Sequence, residues 1–260
     1  MSDAQQSSGV KRFEEQGGAA TMDPSPLRRW VSSRIATHVG SKRYLLKQRR
    51  KAESRRERSG SPHIVEYFHQ TDDGYSHLAL QKLAALKKRY DIELRCHLVR
   101  GPSGDNLPEP KLLLQLASFP ETEGIQSGEL NAKENSNLAT LDDQQFPEEA
   151  TKVSEALWRY DATAIEALAS QLGEASDADT ASAIDVGTRR RTELKHYSGA
   201  MFYYGGEWYW GVDRLYHLEN RLKSLSCDRK PDDGLLTPSH QIKGFEPDSA
   251  AELTLEVYPS

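Results

Sequence analysis

The spacing of apolar residues changes several times along this chain, and each change marks an element. Ile64-Val-Glu-Tyr-Phe-His69 is an apolar run of strand length. A polar stretch from Gln70 to His77 follows. Leu78, Leu80, Leu83, Leu86 and Tyr90 then recur at helical spacing, with Lys82, Lys87, Lys88 and Arg89 on the wet side. Asp91 to Val99 alternates as a second strand. Strand, loop, helix and strand form one βαβ unit, so the two strands should be parallel with a right-handed crossover.

Far downstream, Tyr197 to Tyr204 and Gly206-Glu-Trp-Tyr-Trp210 read as aromatic strands. A glycine turn carrying Asp213-Arg214 follows. An amphipathic helix then presents Leu215, Leu218 and Leu222 on one face. Between these halves, from about Arg100 to Lys195, lies a helical insert. Gly101 to Pro110 is a loop, and Leu112, Leu113, Leu116 and Ala117 suggest a short helix after it. Pro147 opens another helix with Ala150, Val153, Ala156, Leu157 and Tyr160 on its apolar side. Asp161 caps a third, running to Leu172. Glu174 to Asp185 is acidic and alanine-rich and reads either as a helix or as a loop.

Composition sets the limits. A chain of 260 residues holds one domain with a sizeable core plus tails. Its 37% hydrophobic content and mean hydropathy of -0.73 leave too little apolar surface to pack every segment, so residues 1–26 read as a disordered tail. No apolar run approaches transmembrane length, and the polar start has no secretory pattern, so a cytoplasmic protein is expected. Residues 1–60 hold fourteen Lys/Arg against six Asp/Glu, a formal +8, and the remainder therefore carries -13 of the total -5. Most of the basic excess lies in residues 27–60, interleaved with Trp30, Val31, Ile35, Val39, Leu45 and Leu46, which predicts a basic helical arm. Three partners fit such an arm: an acidic surface of its own or a partner chain, as in a homodimer, a nucleic acid, or anionic lipid. No zinc-finger spacing, RNA-binding aromatic motif or helix-turn-helix pattern supports nucleic acid.

The two signature ends, residues 61–99 and 197–226, resemble the DsbA-like thioredoxin-fold proteins, among them the 2-hydroxychromene-2-carboxylate isomerases and kappa-class glutathione transferases. There a W/F-G-x-D-R-L run, matched by Trp210-Gly-Val-Asp-Arg-Leu215, closes the domain beside the thiol-binding site. The resemblance implies an α/β thioredoxin-like fold over residues 61–226, with a helical insertion and the basic arm in front. It implies glutathione or another small thiol as ligand, with an aromatic small molecule as a further substrate class. The active-site loop of the family reads C-x-x-C or S-P-Y-S, and here it reads Asp73-Gly-Tyr-Ser76.

On that alignment the catalytic candidates are Asp73, Ser76 and His77. The thiol-binding candidates are Gly74, Tyr75, Ala200, Met201, Val212, Asp213 and Arg214. Asp213 and the backbone at Val212 stand where relatives hold the γ-glutamyl end of glutathione. The bland readings stand beside these: Ser76 as a helix-start residue, Asp213 as a helix cap, Arg214 as a surface ion pair and His77 as a surface histidine. His69, Asp72, Asp73 and His77 form a polar cluster without any established metal spacing, so no metal site is assigned.

Two departures from the family matter. A dithiol–disulfide cycle needs two nearby cysteines, one of them a thiolate at the helix start. The only cysteines, Cys96 and Cys227, lie elsewhere, so this loop cannot carry that cycle. Ala200 stands where the family places a cis-proline, and a cis bond before a residue other than proline costs about 2.5–4 kcal/mol, so a trans bond is expected. Residues 227–250 read as a linker. Ala251 to Ser260 alternates as a strand, and Glu256-Val-Tyr258 echoes Glu66-Tyr-Phe68, which fits the first strand of a second, truncated thioredoxin-like domain. A non-catalytic module that binds a partner through its basic arm is the competing function.

Overall fold

β1 (Ile64–His69) and β2 (Glu93–Leu98) pair in parallel, joined by α3 (Gly74–Arg89), as the period changes predict. β3 (Met201–Tyr204) runs antiparallel on the other side of β1, and β4 (Glu207–Trp210) pairs antiparallel with β3. The sheet order is β2-β1-β3-β4, and α8 (Gly211–Ser224) follows β4. This is the thioredoxin-like arrangement, with helices inserted between β2 and β3. The computed structural model describes residues 26–71, 73–101, 127–159 and 161–237. The reading of residues 1–26 as a tail lies outside them except for Pro26, which opens a helix, and Asp72 of the polar cluster, the helix at 112–117 and the strand at 251–260 lie outside them too.

The period of two along each strand sorts its residues onto two faces. Val65, Tyr67, Leu94, Leu98, Phe202, Tyr204 and Tyr209 meet Leu80, Leu83 and Leu86 of α3 and Leu215, Leu218 and Leu222 of α8 in one buried cluster. The opposite face carries Phe68 and Met201, packed with Val99, Leu194, Tyr203 and Trp208. Glu66 lies on that second face, buried. Arg190 forks onto it at 2.6 and 2.7 Å, and His97 adds a bond at 3.1 Å. Burial alone would raise the Glu66 carboxyl, but its bonds to Arg190 and His97 outweigh this and hold its pKa at about 2.

Four helices make the insert. They are α4 (Ser127–Leu138), α5 (Phe146–Trp158), α6 (Ala162–Leu172) and α7 (Asp177–Glu193). Pro147 sits in the first turn of α5, where its missing N–H is harmless, and Glu148 and Glu149 favour that helix end. Asp161 caps α6 by accepting from the Ala164 amide at 2.9 Å, as its sequence position implied. The acidic alanine-rich stretch resolves as helix. Ser176 caps α7, and Asp177 and Asp179 occupy its first turn. Gly187 lets α7 lie against the end of β2, since a Cβ there would land on the Leu98 carbonyl oxygen.

The described residues fall into two compact units that divide between Ser54 and Arg55. The first unit holds α1 (Pro26–Val39) and most of α2 (Lys42–Ser59), so the arm is helical as read. No residue of α2 is buried. In the second unit, residues 227–237 behave differently from the expected linker. Arg89 forks onto Asp228 at 2.9 and 3.1 Å and donates to the carbonyls of Lys230, Asp233 and Gly234. Buried Glu219 accepts from the Tyr90 hydroxyl at 3.0 Å and from the amides of Leu236 and Thr237. Two charged groups with full sets of partners thus hold this segment against the far end of α3.

Candidate functional site

The loop after β1, the turn into β3 and the start of α8 converge, as the two-ended resemblance requires. Ser76 is the hinge of that convergence. Its hydroxyl donates to Asp73 Oδ2 at 2.8 Å and accepts from the amides of Ala200 at 2.9 Å and Gln70 at 3.2 Å. The Ala200 carbonyl in turn accepts from the Gly211 amide at 2.9 Å. One serine hydroxyl and the backbone N–H and C=O of one alanine therefore tie all three segments together. Gly199 makes the approach possible, because a Cβ there would sit 2.7 Å from Gln70 Cβ.

The same bonds define what the loop can do. Asp73 is the N-cap of α3, and its carboxylate accepts from the amides of Tyr75 and Ser76 and from the Ser76 hydroxyl. Ser76 is fully buried, so the hydroxyl is a structural tie with every lone pair and proton engaged. Gly74 opens α3, where a Cβ would touch the Trp158 ring at 3.4 Å, and Tyr75 is exposed beside it. His77 packs at a tilt against Trp158 and bonds Ser154 Oγ at 3.1 Å through Nδ1 and Gln81 at 3.2 Å through Nε2. Partial burial lowers its pKa, so it is neutral near pH 7.

Ala200 is buried in a trans peptide, as no described bond is cis, and takes φ +54. A proline could not replace it there, since its ring fixes φ near -65° and removes the N–H that Ser76 accepts. Met201 turns away from the loop into the cluster with Phe68 and Val99. Val212 is half-buried against the main core, whereas Asp213 and Arg214 are exposed in the first turn of α8. Trp210 holds the N-cap position of α8 without a side-chain cap bond, so Asp213 is a first-turn residue and not the cap.

Several groups around the site had no separate signal in the sequence. Tyr67 donates to the Ser76 carbonyl at 3.0 Å and lies 3.1 Å from His69 Nδ1. With the tyrosine proton on that carbonyl, the His69 proton sits on Nδ1, and Nε2 is a bare acceptor, enclosed and unpartnered. Burial, with His77 nearby, drives the His69 pKa down to about 3. Arg191 is 4% exposed, and its Nε and Nη1 have no partner. Its burial lowers its own pKa, and burial together with its charge lowers that of His196, in the connection leading to Ala200. Cys96 and Cys227 form no disulfide, and burial pushes the Cys96 thiol well up, so Cys96 is not an activated thiolate. Among the described residues, no group of three or more His, Cys, Asp or Glu converges as a metal site.

No family model matches the sequence, and a search of curated proteins gives no match. Among solved structures, the chain is similar to a 2-hydroxychromene-2-carboxylate isomerase at TM-score 0.45 and 22% identity, over 63% of this chain and 96% of that one. It is also similar, at TM-score 0.41 and 12% identity, to a Nitrosomonas europaea protein described provisionally as a protein disulfide isomerase, over 64% of this chain and 97% of that one. Likenesses this distant are of fold alone, and the thioredoxin-like arrangement itself is read from the strand order and connections of this chain.

Proposed function

We propose that this chain binds a small anionic thiol of the glutathione type at the edge between the Asp73–Ser76 loop and the first turn of α8, without dithiol–disulfide chemistry of its own. One observation carries the reading. The Asp73 and Ser76 side chains are consumed by each other, while the adjoining start of α8 has no side-chain cap and exposes Asp213. Amides in the first turn of a helix favour a carboxylate, and Asp213 beside them suits the ammonium of a γ-glutamyl group. Among the described residues of the loop no cationic group stands by to stabilise a thiolate, and the Asp73 carboxylate disfavours one. The sulfur is therefore not the recognised group, and His77, with both ring nitrogens engaged, is not a free acid or base.

Calorimetric titration of the full chain with glutathione tests this. Saturable binding is expected, weakened about tenfold, or about 1.4 kcal/mol, by Asp213→Ala. Absence of binding, or binding indifferent to that substitution, overturns the reading. A second function is favoured by a separate feature, the exposed basic arm: a non-catalytic thioredoxin-like module that engages a macromolecular partner. The full chain would then form a salt-sensitive complex without glutathione.

A further inference from the structure

The arm carries an unusual load. Residues 26–60 hold twelve Lys/Arg against two Asp/Glu, a formal +10. Along α2, Arg43, Lys47, Lys51 and Arg55 recur every four residues, so like charges neighbour each other down one side. Each such pair destabilises a helix by about 0.2–0.5 kcal/mol, and α2, with no buried residue, lacks the packing that supplies most helical stability in proteins. Counter-charge from outside the helix is what this sequence asks for. α1 adds an apolar demand: Val31, Ile35 and Val39 form a stripe four residues apart, and Trp30 and Ile35 are 60% and 59% exposed.

The helical insert has the opposite character. Residues 127–185, which form α4 to α6 and the first half of α7, hold thirteen Asp/Glu against three Lys/Arg, a formal -10. Glu148, Glu174, Asp177, Asp179 and Asp185 are exposed, and exposed Val186 stands beside the last of them. We propose that the basic arm of one copy docks on the acidic outer helices of a second copy, making a reciprocal two-fold dimer. The two segments carry equal and opposite formal charge. A nucleic acid would neutralise the cations but leave Trp30, Ile35 and Val39 in water. The acidic helices offer both carboxylates and an aliphatic contact. This pairing does not depend on the thiol site.

Sedimentation equilibrium of the full chain at about 50 mM and about 1 M salt tests it, because exposed charge pairs are screened at the higher value. Two chains per particle are expected at low salt and one at high salt. The variant Arg43→Glu/Lys47→Glu/Arg50→Glu should be a single chain at low salt, as should Glu148→Lys/Glu174→Lys/Asp177→Lys. Mixing the two variants should restore a two-chain particle, which also shows that both are folded. A single wild-type chain at low salt overturns the proposal. Were that monomer to bind phosphatidylserine vesicles or a short DNA duplex, the arm would belong to that polyanion instead. A dimer indifferent to salt and to both variants overturns it equally.

Discussion

Ser76 decides how the site is read. The sequence marks it as the surviving hydroxyl of the loop, and its role as a helix-start residue was equally legible there. What no local pattern shows is that the hydroxyl accepts from Ala200, 124 positions away. Ser76→Ala would leave that buried amide unpaired and should cost about 1–3 kcal/mol in chemical denaturation. Ala200→Pro, which restores the proline of the resembled family, should be worse, because it removes the N–H and opposes φ +54. A variant as stable as the wild type would show that the tie does not hold the segments together. Arg191 gives the opposite sign. A guanidinium enclosed without a carboxylate among the described residues is a standing penalty, so Arg191→Met should stabilise by about 1–3 kcal/mol, read as a raised Tm. A drop in Tm would mean that the charge has a role in the fold.

The elements were legible to different degrees, for physical reasons. β1, α3, β2 and α8 have strong periods and buried stripes; the sequence placed both strands within about two residues, while α3 and α8 each begin about four residues before their first apolar position, inside stretches read as polar loop and glycine turn. α7 was ambiguous because its Ala-rich, acidic first half lacks an apolar stripe. Its position is set instead by Ser176 at the cap, by Arg190 on Glu66 and by the close approach of Gly187 to β2. α4 was not foreseen at all, since polar side chains such as Glu134 and Asn137 are buried in it and mask the period. Gly187→Ala should therefore destabilise the domain by about 1–3 kcal/mol, against the usual helix-propensity gain of alanine. Hydrogen exchange should quicken in α7 and β2 first; an unchanged or more stable Gly187→Ala protein would show that α7 does not rest on that contact.

At the scale of the whole molecule, acid is the informative stress. The His69 pKa is depressed in the folded state, to about 3. Its contribution is fully present above the unfolded value near 6.5 and is lost as pH falls toward 3, at about 1.4 kcal/mol per pH unit. Glu66 acts in the same direction over a lower window, from its ordinary value of 4.5 toward 2. Between pH 6.5 and 5 the histidine acts before the carboxylate. His69→Leu should thus flatten the loss of stability in that interval, measured by urea titration, while leaving the steeper loss below pH 4.5. Equal slopes for wild type and variant would show that His69 is not the buried neutral group described here. The anchoring of residues 227–237 is also a property of the assembled molecule. Proline spacing reads as linker, and only the arrival of Arg89 and Glu219 from distant helices reveals the docking.

The proposed site pairs a loop whose Asp73 and Ser76 are bound to each other with a helix start that carries no side-chain cap, where we propose that charge is recognised. Titrating the full chain side by side with glutathione and S-methylglutathione tests that division most directly. The two ligands should bind with affinities within about threefold of each other, less than 1 kcal/mol apart, because the sulfur meets no group that needs its proton or its charge. Tight binding of glutathione abolished by S-methylation would show that the loop does recognise a thiolate, and would contradict the account.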